Sequence, residues 1–465
     1  MDKTSVVASF QQLQIGSNPR YPLNDMGISE LFYKIFQNLI TYVIEPKSWY
    51  IYDGRRWTKD MQNLKIMELC KIFTYALADY GSQLQDEKII KLSGALCNIK
   101  KRENIIRDAA SANPKSLGDF DRDKYLFNCQ NGTYDLKQKI LNPHKPQDLI
   151  TKLSNVTYDH NAKCDRWDLF VNEVMQGDED SMKFLQKALG YSLSGATDLE
   201  CFFIFYGSTT RNGKSTCCET ISHIFGDYAS NVQPETIGRN NKNGSAPSPD
   251  IARLKGARLV IMPEPERGLE LNVSLIKQLT GGDKYTGRFL HENPIEFTPE
   301  FKIIINTNHR PRINDDTIFS SDRVKLLPFE RHFNPNEQDI GLKAFFRQEQ
   351  NMSGIFNWLI DGYYLLMMDG LKEATKMTQA INEYREESDI FGTFLNDTLL
   401  NVDGYRLATS KLYERYKDWT KDNGYHPLNS KNFVGELRKR YTIKRNGTRG
   451  NEILDVDLIP NDFPW

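Results

Sequence analysis

The chain has 465 residues, 39% of them hydrophobic and 26% charged, ordinary values for globular protein with room for about two to four domain cores. A formal net charge of −1 excludes a chain-wide polycation. Seven scattered cysteines (70, 97, 129, 164, 201, 217 and 218), none in a C-x-x-C pair, argue against a disulfide framework and a zinc site. No run approaches the ~18 apolar residues of a membrane span, and the start, MDKTSVVASFQQLQ, lacks a basic-then-apolar signal. A cytoplasmic protein with no membrane partner is expected.

Residues 1–110 read as an N-terminal α+β domain. Helical periodicity runs over Ile28–Val43 and Met61–Tyr80. Between them lies an aromatic hairpin, Trp49 to Trp57, turning at Asp53-Gly54. Its rings suit base stacking, but the core of a small domain is the simpler use. Residues 111–195 read as one region, a turn-rich connector with short strands to about 165 and then a helical collar from Trp167 to about Leu193. At Phe202 the texture changes. Phe202–Tyr206 is a continuous apolar run, as in a strand buried on both faces of a parallel sheet. Two more runs follow, Arg258–Met262 and Lys302–Ile305, with helical patterns between, so residues 196–335 read as an α/β core. The polar, breaker-rich stretch Gly238–Pro249 reads as a surface loop. Residues 336–395 form a helical lid, and 396–465 a separate C-terminal domain.

The chemistry begins after the first core strand. Gly207-Ser208-Thr209-Thr210-Arg211-Asn212-Gly213-Lys214-Ser215-Thr216 precedes a helical pattern, and strand–loop–helix is the context that makes a phosphate-binding loop credible. Glycines let backbone N–H groups curl around phosphates, and helix-terminus amides favour anions. Gly207, Asn212, Gly213, Lys214, Ser215 and Thr216 are the candidate nucleotide contacts. Lys214 would neutralise the β- and γ-phosphates of ATP, and Ser215 would help hold Mg²⁺. The spacing is irregular: five residues rather than four separate Gly207 from Gly213. Either Ser208 takes the place of the first glycine or the loop is one residue longer.

The second core strand ends in Pro263-Glu264-Pro265-Glu266. Two carboxylates at the carboxyl edge of a sheet, beside a phosphate loop, suit a metal-proximal acid and a water-polarising base. Glu264 is the favoured essential acid and metal ligand, with Glu266 supporting; their division of labour stays open. The third strand delivers Asn308, a polar amide suited to sensing a γ-phosphate. Between these strands, Lys277 to Phe297 contains T-G-G-D and a hairpin turning at His291–Pro294. Arg323, just before an apolar strand, suits transition-state charge stabilisation in a neighbouring subunit.

In this order, these motifs resemble the superfamily 3 helicases, in particular the phage and plasmid primase-helicases and their poxvirus-type relatives. Asn131–Leu136, Ile150–Lys152 and Gly190–Gly195 resemble that family's region ahead of the motor. The resemblance covers about residues 20–395 and implies an AAA+ P-loop ATPase core. It further implies a homo-hexameric ring encircling DNA, ATP bound between subunits, 3′→5′ movement, and a bacterial or phage-infected host. The hairpin would grip DNA through Lys284, Arg288 and His291. The family often has a basic hairpin tip, whereas here His291 stands beside Glu292. Of the family's paired arginines before the last strand, only Arg323 is matched.

The tail departs from the chain's neutrality: residues 401–450 hold twelve Lys/Arg against five Asp/Glu, a local +7. A helix over Ser410–Asn423, a second over Lys431–Arg440 capped by Ser430, and a hairpin tip at Asn446–Gly450 make a winged-helix pattern. Lys431, Arg438, Arg440, Lys444, Arg445 and Arg449 are its candidate DNA contacts. The leading expectation is therefore a replicative DNA helicase acting on single-stranded and duplex DNA, with an origin-binding initiator role for the tail. Replication initiator or primase proteins are further expected partners. The alternatives are a primase or primase-helicase, whose nearest acid pair is Asp121 and Asp123, and a non-catalytic DNA-binding protein with an ATPase fold.

Overall fold

The computed structural model describes residues 2–239, 249–288, 295–447 and 450–460. Among these residues the strands form three small antiparallel sheets, a two-stranded antiparallel pair and one parallel sheet. The first sheet pairs β1 (Ile40–Val43) with β2 (Ser48–Tyr52) and β2 with β3 (Trp57–Lys59). The expected helix over Ile28–Val43 is therefore corrected: the helix is Asp25–Phe36, capped by the Asn24 side chain on Gly27 N at 2.9 Å. Ile40-Thr41-Tyr42-Val43 is rich in β-branched and aromatic side chains and finds a strand partner, which outweighs the helical spacing. Trp49 and Trp57 are 2% and 3% exposed, so the aromatic hairpin is a core element. The helix expected over Met61–Tyr80 runs Leu64–Leu84. It packs Phe73 edge-on to Phe10 and Phe32 in a separate N-terminal core.

The connector carries β4 (Leu126–Cys129), β5 (Gly132–Asp135) and β6 (Ile140–Asn142) as an antiparallel meander. The collar is two helices, Asp165–Val174 and Glu179–Tyr191, parted where Gln176 and Gly177 both take positive φ.

The parallel sheet comprises β7 (Phe202–Tyr206), β8 (Ala229–Asn231), β9 (Leu259–Met262), β12 (Lys302–Thr307) and β13 (Val324–Pro328); the two-stranded hairpin is β10 (Tyr285–Gly287) and β11 (Ile295–Phe297). Its spatial order is β13-β7-β12-β9-β8, every neighbouring pair parallel. The continuous apolar runs have the reason expected of them, because strand alternation sends Phe203 and Phe205 into one core and Phe202 and Ile204 into another. The first core includes the connector's Phe127, the collar's Trp167 and Phe356 of the helix Glu349–Asp369.

That helix packs against Glu179–Tyr191 at two glycines. A Cβ on Gly190 would lie 2.5 Å from Leu359 O, and one on Gly362 would lie 2.7 Å from the Gln186 carbonyl carbon. Backbones meet there with no room for a methyl group.

The helical segment 338–395 continues as Thr375–Ser388 and Ile390–Thr398. In the tail, the helix Thr409–Asp422 packs against β14 (Leu399–Ala408) and β16 (Gly450–Leu458), which form a sheet with β15 (Ile443–Asn446) in the order β14-β16-β15. β14 is a strand that the sequence reading did not separate from the domain's start. The second tail helix is Ser430–Arg438, capped by Asn429 rather than Ser430: the Asn429 side chain accepts from Asn432 N at 2.9 Å. Among the described residues no helix is long and apolar enough to cross a membrane.

Gly362→Ala is expected to lower stability by about 1–3 kcal/mol through overpacking. Gly94→Ala, in an exposed helix where a Cβ meets nothing within 4 Å, is expected to raise it by about 0.5–1 kcal/mol. Denaturant midpoints of the two variants measure the contrast.

Candidate functional site

β7 ends at Tyr206 and the helix Lys214–Phe225 begins eight residues later, so the loop expected to bind phosphate lies between strand and helix. Both glycines are required by geometry. Gly213 has φ +86°, and a Cβ on it would strike Val174; a Cβ on Gly207 would come 3.0 Å from the Lys214 ammonium and overlap Asn212. Ser208 is exposed. Gly207 thus occupies the tight position at the strand end, and the loop is one residue longer, with Arg211 at φ +57°. Asn212 is buried, its amide donating to Thr209 O at 2.6 Å and bracing the loop from within.

Strand order brings the acid to the loop. β12 lies between β7 and β9, so Asn308, just beyond its carboxyl end, stands between Lys214 and Glu264. The Lys214 Nζ donates to Asn308 Oδ1 at 2.7 Å and more weakly to Gly207 O at 3.4 Å. Asn308 in turn donates to Glu264 twice, from Nδ2 at 2.8 Å and from its backbone N at 3.1 Å.

Lys214 is 4% exposed, and no carboxylate among the described residues lies within ion-pair range of it. Burial pushes its ammonium down to about 8, against a weaker opposing pull from Glu264. No side chain caps the helix that Lys214 begins, so the first-turn N–H groups point into the same space. A buried cation paired, among the described residues, with neutral oxygens and set beside an uncapped helix terminus has the electrostatics that suit an anion.

The space is a cleft of about 1290 Å³. Lys214, Ser215, Glu264, Asn306 and Asn308 are among the residues that line it, as are Arg253, His223 and Arg347. Asn306 was missed by the sequence reading, although strand alternation puts it on the same face as Asn308. Arg253 and Arg347 come from distant segments, and no local pattern marks them.

Other candidates are placed elsewhere. Glu266 does not line the cleft, whereas Glu264 does. Thr216 is half-buried on the helix. Arg323 precedes β13 and so lies at the opposite edge of the parallel sheet from Lys214. It is 16% exposed, ion-paired to Glu200 and donating to Thr280 Oγ1 at 3.1 Å. Lys284 and Arg288 are both exposed, Lys284 just before the end where Tyr285 pairs with Phe297 and Arg288 just after the end where Gly287 pairs with Ile295. His291 and the turn expected at 291–294 lie outside the described residues, as do Arg449 and positions 240–248 of the Gly238–Pro249 loop. Lys431, Arg438, Lys444 and Arg445 are exposed. Arg440 is exposed as well, and it also makes a contact within the chain. It forks onto Asp389 at 2.7 Å from each terminal nitrogen and lies over Phe391, so its guanidinium fastens the tail to the lid.

Family models match three stretches of the chain: a D5 N-terminal-like family over residues 29–176, a family of unknown function over 205–323, and a poxvirus D5 protein-like family over 386–451. Two of these three models are of D5-type families, and they match the chain on either side of the parallel sheet. Similar curated proteins include "Putative helicase L207/L206" of Acanthamoeba polyphaga mimivirus, 28% identical, the match covering 80% of this chain and 42% of that protein. Another is "Putative helicase 022R" of Frog virus 3 (isolate Goorha), 23% identical, covering 74% of this chain and 44% of that protein. The chain thus spans less than half the length of these relatives. Among solved structures, the apo NrS-1 C-terminal region shares its fold at 11% identity, with a TM-score of 0.51 over 92% of this chain and 99% of that one.

The lysine carries a stability prediction. A free lysine titrates near ~10.4, so between about pH 8 and pH 10.4 the unfolded chain holds a proton that folded Lys214 has lost, and stability from this group rises with pH. At neutral pH its full burial cost is present. Lys214→Met is expected to raise stability by about 1–2 kcal/mol at pH 7 and by less at pH 9.5, as read by denaturant unfolding at the two pH values.

Proposed function

We propose that this chain is the ATP-driven motor of a replicative DNA helicase, a ring-forming AAA+ ATPase of the superfamily 3 type. The observation that carries the reading is the buried Lys214 ammonium, lacking a carboxylate partner beside an uncapped helix terminus and one amide away from Glu264. The residues fit a nucleoside triphosphate with Mg²⁺. Lys214 and the first-turn N–H groups take the phosphates, while Ser215 and Glu264 share a cleft in which a magnesium ion needs only one or two protein ligands. When bound, the ion would supply charge neutralisation across the β- and γ-phosphates. Glu264 polarises the attacking water, and Asn308 holds Glu264 and the lysine in register. Glu266 supports from outside the cleft.

Arg323 is the candidate for a neighbouring subunit's site. Its place at the far edge of the sheet supports action in trans, and its Glu200 pair would have to exchange for phosphate. Hexamer formation, encirclement of DNA and 3′→5′ polarity belong to this proposal through the family resemblance. The helicase names of the viral relatives support the same direction of reading. The tail helices and the β14–β16 sheet suit a winged-helix DNA-binding body, with Lys431, Arg438, Lys444 and Arg445 as its exposed cations. Intrinsic primer synthesis within these residues finds no support. Asp121 is spent on Thr151, and Asp123 on Tyr125 N at 2.9 Å.

Lys214→Ala and Glu264→Gln are each expected to reduce DNA-stimulated ATP hydrolysis by about 10²-fold or more. Hydrolysis that persists in Lys214→Ala would remove the motor reading.

Nucleotide binding should restore the lysine's proton. Affinity is therefore expected to fall as pH rises past about 8, and binding at pH 8.5 should take up protons. Calorimetry in buffers of different ionisation enthalpy reads both effects. Replacing Lys431, Arg438, Lys444 and Arg445 together by alanine should make the slope of log affinity against log salt shallower by about 3–4 if all four meet phosphates. An unchanged slope would take DNA away from the tail.

A further inference from the structure

Two residues past Asn308 stands an arginine that the nucleotide reading does not use. Arg310 lies with its guanidinium 4.7 Å from the ring centroid of Tyr206, the residue just before Gly207. The same group forks onto two carboxylates of the helix Thr375–Ser388, Glu387 at 2.7 Å and Glu383 at 3.3 Å. It is 12% exposed, and its Nε has no hydrogen-bond partner. The next residue, Pro311, accepts a hydrogen bond from Tyr384 on the same helix. The four residues 308–311 are therefore tied to the phosphate site at one end and to a single helix face at the other. That helix is followed at once by Asp389, which caps Ile390–Thr398 through Gly392 N at 2.9 Å and holds Arg440 of the tail.

We propose that Arg310 is a positioning residue: it holds Asn308 in register with Lys214 and Glu264, and it makes that register depend on the helix Thr375–Ser388. The inference rests on the nucleotide reading of the cleft. A phosphate that draws the Lys214 ammonium away from Asn308 removes one of the three hydrogen bonds that Asn308 makes to Lys214 and Glu264. The short segment then shifts, and Pro311 leaves it little slack. Arg310 cannot follow without sliding on Tyr206 and re-forming its fork on Glu383 and Glu387. A flat, five-donor guanidinium between an aromatic face and two carboxylates favours discrete arrangements over a continuum. Occupancy of the phosphate site is thereby transmitted to the lid and, through Asp389, to the tail. By linkage, whatever orders the lid changes nucleotide affinity by the same factor.

The test uses the full chain with a fluorescent, non-hydrolysable ATP analogue and Mg²⁺, reading affinity, steady-state kinetics and amide hydrogen exchange over residues 375–398. In the parent, saturating analogue should alter exchange in that segment. Arg310→Gln should keep analogue affinity within about threefold, lower kcat about tenfold with a smaller change in KM, and abolish the exchange response. Glu383→Gln/Glu387→Gln, which touches no residue of the phosphate site, should reproduce the loss. Arg310→Lys, which keeps charge without the fork, should recover only part of it. An exchange response that survives in either glutamine variant, or saturable binding to the parent with no response, overturns the coupling alone. Failure of the parent to bind the analogue would sink the nucleotide reading, and the coupling with it.

Discussion

One desolvated charge organises this molecule. The Lys214 ammonium is held away from water with no carboxylate among the described residues in ion-pair range, and a bare cation in such a place costs several kcal/mol even after relaxation, which neutral hydrogen-bond acceptors partly offset. The surroundings are arranged to make that cost tolerable. Asn308 and Gly207 offer oxygens, Asn212 braces the loop from within, and Glu264 reaches the lysine's surroundings only through Asn308. The lysine is left with charge to spare for an anion, and the acid stays free of a salt bridge that would silence both.

That arrangement needs the sheet order. Had β7 and β9 been neighbours, loop lysine and strand-end glutamate would have paired directly. With β12 between them, a neutral amide separates the two charges. The same strand is pinned at its other end. Lys302 is buried, donating to Ser194 O at 2.5 Å and lying over the Tyr191 ring at 4.1 Å. Arg258, ahead of β9, donates to Lys124 O at 2.7 Å. Connector and collar therefore grip the amino edge of the sheet while the chemistry occupies its carboxyl edge. From that carboxyl edge a run of ion pairs passes outward: Arg310 to Glu383 and Glu387, Arg385 to Asp316, Arg440 to Asp389.

Much of the site was legible in the chain. Gly213-Lys214-Ser215 after an apolar run, Glu264 after a second and Asn308 after a third are local patterns, because a buried strand has to deliver its polar residue at its end. The irregular loop spacing was legible as a problem but not as a solution. Only the contacts of Gly207 with Asn212 and Lys214 place it, rather than Ser208, at the tight position. Arg253 and Arg347 at the cleft, and the Glu383–Glu387 fork, join segments whose proximity no window of sequence reveals. Ile40–Val43 misled because a four-residue apolar run fits helix and strand alike until a pairing partner is present. The pairing of Arg440 with Asp389 was equally out of reach, because exposed basic residues look alike in sequence until one of them finds an aspartate.

What the sequence determined by itself was the order of the parts: apolar runs long enough to be buried strands, a glycine–lysine loop, strand-end polar groups, and a basic tail. These follow from local chemistry, since backbone freedom, strand alternation and charge are properties of neighbouring residues. What only the tertiary structure decided was which of those groups meet. It set Glu264 and not Glu266 beside the cleft, put Arg323 at the opposite edge of the sheet from the lysine, and committed Arg440 to Asp389. The physical reason is that ion pairing and desolvation act over a few ångströms in space, and the spatial order of strands, unlike their order along the chain, is fixed by how the whole core packs.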